Sequence, residues 1–169
     1  TGCSTGIGLA TAVHLAGRGH TVYASVRDLA TSEGLRGAAE EAGVALTVLS
    51  LDVDSPESIR AGAERVVEEA GCVDVLVNNA GVGDLWAVED ITETDLLQMF
   101  RTNVFGPIAL IRAVLPGMRA AGSGTIVNVS SVSARIVSAF SGPYAATKYA
   151  LEAITQAVAV EGAAHGIRC

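Results

Sequence analysis

Thr1-Gly2-Cys3-Ser4-Thr5-Gly6-Ile7-Gly8 opens this chain, and the reading of that stretch decides the fold. Glycine tolerates positive φ and lets backbone approach a neighbouring group closely, so G-x-x-x-G-x-G describes a tight turn poor in side chains. Leu9, Val13 and Leu15 then recur at helical spacing and predict a helix that closes near Gly17–Gly19. A helix that begins on a glycine turn offers free N–H groups and a positive dipole end, which suit a pyrophosphate. The spacing differs from the G-x-G-x-x-G dinucleotide fingerprint, so that rule applies by analogy.

Outward from the turn, short β-rich runs alternate with helical patterns. Thr21–Val26 predicts a strand, Ser32–Ala42 a helix stopped by Gly43, and Val44–Leu51 a second strand. Ser55-Pro56-Glu57 is an N-cap, a proline at the first helical position and an acidic first turn, with the helix ending near Gly71. Val73–Val77 predicts a buried strand leading into Asn78-Asn79-Ala80-Gly81. Thr92 caps a long helix to about Ala120, with Pro107 and Pro116 as expected irregularities. Thr125–Val129 is the next strand, and a final helix runs from Pro143 to about His165. This alternation implies an α/β fold, a Rossmann-type doubly wound parallel sheet with helices on both faces. A phosphate-binding glycine turn normally follows a strand. Here it comes first, and Gly166-Ile167-Arg168-Cys169 reads as the entry to another strand. The expectation is one nucleotide-binding Rossmann domain over residues 1–169, truncated at both ends, with its first strand and C-terminal strands missing.

Composition narrows the function. Half of the 169 residues are hydrophobic and only 4% aromatic, so the core is built from Ala, Val, Leu and Ile. The formal charge is −7, and no basic stripe occurs, which argues against nucleic-acid or anionic-membrane partners. No run reaches about 18 consecutive apolar residues, so no membrane span is expected. Cys3, Cys72 and Cys169 are odd in number and widely spaced, fitting neither a disulfide framework nor a zinc site. A cytoplasmic location is the simplest expectation. His14, His20 and His165 share no metal-like spacing, and no metal is expected.

Two further features carry chemistry. Ser25-Val26-Arg27-Asp28 lies where ribose recognition usually occurs: an acidic strand end holds a 2′-hydroxyl, and an arginine accepts a 2′-phosphate. Arg27 favours NADP(H) over NAD(H), while Asp28 either competes or simply begins the next loop. The other feature is Tyr144-Ala145-Ala146-Thr147-Lys148. Lys148 is the only lysine beside ten arginines. Residues four apart share a helix face, and a compact ammonium beside a phenol makes its proton easier to remove. A Tyr-x-x-x-Lys alone also arises on solvated helix faces; the other motifs separate the readings.

Taken together, these motifs resemble the short-chain dehydrogenases/reductases. Thr1–Gly8 is similar to the family's T-G-x-x-x-G-x-G turn, Asp52-Val53 to its adenine-contacting pair, and Asn78-Asn79-Ala80-Gly81 to its N-N-A-G. Asn103 matches the family's helix asparagine. Ser131, thirteen positions before Tyr144, matches the serine, with Ser133 as the alternative. Tyr144 and Lys148 match Y-x-x-x-K. The subtype around Val22–Asp28 looks like the hydroxysteroid and retinol dehydrogenase relatives. The family's order places a strand between the runs at Thr21 and Val73, so a gap in the sheet is expected there.

The resemblance implies an oxidoreductase moving a hydride between NADP(H) and a carbonyl or secondary alcohol. Tyr144 would be the general acid or base, and Lys148 would favour phenolate and bond the nicotinamide ribose. Ser131 would hold the substrate oxygen. Asn103 would support a water link from Lys148 towards solvent, or else satisfy neighbouring backbone. Gly2, Ser4, Thr5, Gly6, Ile7, Gly8, Arg27, Asp52, Val53, Asn79, Ala80, Gly81, Tyr144 and Lys148 would bind cofactor. Trp86 fits either the substrate mouth or the core. A homodimer or homotetramer through the Thr92 and Pro143 helices is implied. The same fold also admits a non-catalytic nucleotide-sensing protein, or a ketoreductase unit of a polyketide or fatty-acid system.

Overall fold

The glycine turn feeds α1 (Gly6–Gly17), and strands and helices then alternate as far as β5. The computed structural model describes residues 1–169. After α1 come β1 (Tyr23–Val26), α2 (Glu33–Glu41), β2 (Thr47–Ser50), α3 (Pro56–Ala70) and β3 (Val75–Asn78). Next are α4 (Glu93–Phe100), α5 (Gly106–Ala121), β4 (Gly124–Asn128), α6 (Gly142–Ala163) and β5 (Ile167–Arg168). β1, β2 and β3 are shorter than the sequence runs that predict them, with β3 reaching one residue further to Asn78, and β4 is as long as its run but begins one residue earlier.

Every strand pairing is parallel. β1 lies beside β2 with Val26 opposite Ser50, and β3 beside β4 with Asn78 opposite Asn128. β5 extends the second sheet, Ile167 facing Gly124. The parallel architecture with helical cover is the one expected. The sheet is split, however, into a two-stranded and a three-stranded part. A slot of about 520 Å³ separates β1 from β3, lined by Val22, Ser25, Leu49, Leu76 and Val77 among others. The core also forms two clusters, but β2 contributes Leu49 to the cluster of the three-stranded part. Leu49, Leu76, Leu110, Ile111, Met118 and Ile126 centre one cluster, while Cys3, Ala24, Val26 and Leu35 form another.

Local chemistry sets the helix starts. Ser55 Oγ accepts from Ser58 N at 3.2 Å ahead of Pro56, and Thr92 Oγ1 accepts from Asp95 N at 3.1 Å. The long helix expected from Thr92 to Ala120 is not uniform. Between α4 and α5, Arg101–Phe105 forms a π-turn. Pro107, in the first turn of α5, lacks an N–H and would press its ring on the carbonyl four residues back. The wider π-turn absorbs that conflict, so the irregularity precedes the proline. Pro116 sits inside α5 without breaking it. By length and composition, Glu93–Ala121 is apolar enough to cross a bilayer. In the fold its buried Leu110, Ile111, Val114 and Met118 join the main core.

Candidate functional site

Parallel strands bring their C-terminal ends to one edge. Arg27 follows β1, Asp52 follows β2, Asn79-Ala80-Gly81 follows β3 and Ser131 follows β4. Open α/β sheets bind ligands at that edge. The glycine turn is pinned there from both sides. Thr1 N donates to Val77 O at 2.8 Å, and Cys3 N donates to Ser25 O at 2.8 Å. Thr1 Oγ1 accepts from Asn79 N at 3.1 Å and Ala80 N at 3.0 Å, while Asn79 Nδ2 donates to Thr1 O at 2.9 Å. Gly8 packs so closely here that a Cβ would collide with the Gly2 carbonyl and the Asn79 side-chain amide. Gly6 has the opposite reason to be glycine: open space around it and φ of 58°.

The first turn of α1 has neither a side-chain cap nor an acidic residue, unlike α3 and α4. Ser4 is half-buried, and Thr5, Gly6 and Ile7 are exposed beside it. Arg27 is exposed at the end of β1. Asp28 Oδ1 accepts from Ala30 N at 2.9 Å and caps the short turn Leu29–Ser32. Asp52 and Val53 are half-buried. Asp52 Oδ1 accepts from Asp54 N at 3.0 Å. The Asp54 carboxylate in turn accepts from Thr102 Oγ1 at 2.8 Å and Gln98 Nε2 at 2.6 Å, tying this loop to the π-turn.

Tyr144 and Lys148 stand one turn apart on α6, as the four-residue spacing requires. Lys148 Nζ lies 5.8 Å from the Tyr144 ring centroid and donates to Val129 O at 2.9 Å. The side chain is buried, and burial holds its pKa below the ordinary lysine value. No carboxylate pairs with it, and Val129 O is the single protein partner for three N–H donors. Gly81 lies close by: a Cβ there would be 3.6 Å from Nζ. Tyr144 itself is half-buried.

Ser131 begins a short 3-10 turn, Val132–Ala134, and its Oγ accepts from Ser133 N at 3.1 Å. Ser133 thus supplies the backbone that orients Ser131. Ser130 Oγ is buried without a partner. Asn103, in the π-turn, is buried with its side chain committed to protein: Oδ1 accepts from Val82 N at 2.8 Å, and Nδ2 donates to Val82 O at 2.7 Å and Thr147 Oγ1 at 3.0 Å. Of the two roles weighed for Asn103, its side chain fills the backbone-satisfying one. Trp86 N donates to Phe140 O at 2.8 Å, so the loop carrying Trp86 lies against the segment before Tyr144. Phe140 is exposed and holds φ of 65°, a strained value for a side-chain-bearing residue.

Sequence reasoning missed Gly83, Thr147 and Phe140. Thr147 was visible only as filler between Tyr144 and Lys148. Gly83 follows the N-N-A-G run with no motif of its own.

A sequence model of the family described as short chain dehydrogenase matches residues 1–169. Human retinol dehydrogenase 8 is 44% identical over 165 residues, 95% of this chain and 52% of that protein. Human 17-beta-hydroxysteroid dehydrogenase type 1 is 40% identical over 166 residues, covering 95% of this chain and 50% of its own length. The chain therefore spans about half the length of these curated relatives. A short-chain dehydrogenase structure from Streptomyces avermitilis superposes with a TM-score of 0.90 at 40% identity, covering 99% of this chain and 60% of that one. A metagenomic short-chain oxidoreductase in complex with NADP gives 0.93 at 32% identity, covering 99% and 75%. NAD+-bound xylitol dehydrogenase gives 0.92 at 30% identity, covering 99% and 65%.

Proposed function

The chain belongs to the short-chain dehydrogenase family, and on that premise we propose that it performs NADP(H)-linked reduction of a carbonyl, or oxidation of the alcohol, with Tyr144 as general acid and base. The observation that carries the reading is the half-buried Tyr144 phenol beside a buried ammonium that has one protein partner.

The residues present fit a nicotinamide dinucleotide. The cradle at Gly8 has no room for a Cβ, and the uncapped start of α1 has N–H groups suited to a pyrophosphate. Gly2, Ser4, Thr5, Gly6, Ile7 and Gly8 would hold the phosphates, Asp52 and Val53 the adenine, and Asn79, Ala80 and Gly81 the far ribose. When bound, the nicotinamide supplies the hydride acceptor or donor. Lys148 has N–H donors to spare for the ribose hydroxyls. In alcohol oxidation Tyr144 acts as phenolate and takes the proton of the substrate hydroxyl, with the Lys148 ammonium beside it to balance the negative charge. In the reverse direction the Tyr144 hydroxyl gives its proton to the substrate oxygen. Ser131 Oγ donates to that oxygen and stabilises the charge developing on it.

NADP(H) is favoured over NAD(H) because Arg27 is exposed at the strand end while Asp28 is occupied as a cap. The relatives with solved structures include both NADP- and NAD-bound proteins.

The substrate is a bulky apolar carbonyl or alcohol. Val132, Ile136, Val137 and Phe140 are exposed on the segment between Ser131 and Tyr144, with Leu85 and Val88 exposed on the loop that touches it. The names of the similar human enzymes, a retinol and a hydroxysteroid dehydrogenase, agree with that class. A homodimer or homotetramer in the cytoplasm completes the reading, supported by exposed Phe105, Tyr149 and Val160 on the long helices and by three free cysteines. NADPH oxidation by the full protein across a panel graded from sugars to polycyclic ketones tests the substrate class. The expected order rises with apolar area. Equal rates across the panel would contradict it.

A further inference from the structure

Gly83 has no backbone reason to be glycine. Unlike Gly2, Gly6 and Gly19, it does not adopt positive φ. Its reason is steric. A Cβ at Gly83 would stand 2.9 Å from both Cδ2 and Cε2 of Tyr144, well inside the 3.4 Å where ordinary contact begins. Its main chain therefore rests on the edge of the ring whose hydroxyl carries the proton.

The neighbouring residue is gripped from below. Asn103 holds the Val82 peptide at both ends, accepting from its N–H at 2.8 Å and donating to its carbonyl at 2.7 Å. A buried side-chain amide used in this way acts like a short strand partner, and it fixes the height of the chain at Gly83. The same amide donates to Thr147 Oγ1 at 3.0 Å, and that hydroxyl donates to the Tyr144 carbonyl at 2.7 Å. One asparagine thus references both the loop above the ring and the helical turn that bears it.

We propose that Gly83 is a positioning residue for the Tyr144 phenol, seated against the ring by the grip of Asn103 on Val82. This rests on the redox reading of the site, since the phenol needs a fixed position only if its proton is transferred. A displacement of about 1 Å can cost on the order of 100-fold in rate when geometry is the contribution.

The test compares Gly83→Ala with Gly37→Ala, a helical glycine with open space around it, in the full protein labelled with 3-fluorotyrosine. The chain has three tyrosines, Tyr23, Tyr144 and Tyr149, so Tyr144→Phe assigns the fluorine signal. Gly83→Ala should move the Tyr144 resonance, leave those of Tyr23 and Tyr149 in place and lower kcat about 100-fold, with NADPH Kd within twofold. Gly37→Ala should change none of these. A Tyr144 resonance that stays put, or one that moves while kcat stays within threefold of wild type, overturns the proposal. Should Gly83→Ala fail to fold by circular dichroism, Asn103→Asp decides. It keeps the acceptor for Val82 N but loses both donations, so the same shift and kcat loss are expected, and an unmoved resonance or rate overturns the proposal. A wild-type protein without turnover defeats the redox reading alone; the fluorine signal still shows whether Gly83 seats the ring.

Discussion

Lys148 Nζ lies 5.8 Å from the Tyr144 ring centroid and bonds one protein atom, the Val129 carbonyl at 2.9 Å. A buried cation with a single neutral partner is costly to the fold. Its retention beside the one half-buried phenol of α6 is what the proposed chemistry needs.

That cost makes a prediction about stability. Burial lowers the Lys148 pKa in the folded protein. The unfolded chain therefore binds more protons between the folded value and the ordinary 10.5, and wild-type stability gains from this group as pH rises through that window. Below the window the buried charge is fully paid for. Lys148→Met should melt at or above the wild-type temperature at pH 7, and its advantage should shrink as pH approaches 10.5. The same variant should lose turnover. Thermal melts across pH check both the sign and the window.

Ser131→Ala should lower kcat by about 100-fold through loss of a donor to the developing oxyanion. NADPH affinity should be unchanged, because the hydroxyl faces the substrate oxygen in the proposed arrangement. Single-turnover kinetics with a cofactor titration separate the two effects.

Arg27→Ala should weaken NADPH binding by about 10–100-fold, the worth of one charge-assisted hydrogen bond to a phosphate. NADH binding should barely move. Fluorescence titration with both cofactors measures the ratio.

Much of the fold was legible in the sequence because local signals and tertiary demands agree. Ser55 with Pro56 and Thr92 start helices through caps written in the neighbouring residues. The alternation of β-rich and helical runs gave the parallel strands, and the resemblance led to the expected break between β1 and β3. The π-turn was not legible, because the strain of Pro107 is relieved in the residues before it. Asp28 reads in the sequence as a ribose ligand or a loop start, and its cap bond to Ala30 N shows the loop start. At the candidate site, spacing along α6 was enough to put Tyr144 and Lys148 on one face. The contacts of Gly83 and Asn103 join residues from separate elements, and no local pattern encodes them.

The central claim is proton transfer by Tyr144, and one variant addresses it directly. Tyr144→Phe keeps the ring against Gly83 and removes only the hydroxyl. In the full protein it should bind NADPH within about twofold of wild type while carbonyl reduction falls by at least about 100-fold. A Tyr144→Phe protein that reduces an apolar ketone at the wild-type rate would contradict the account.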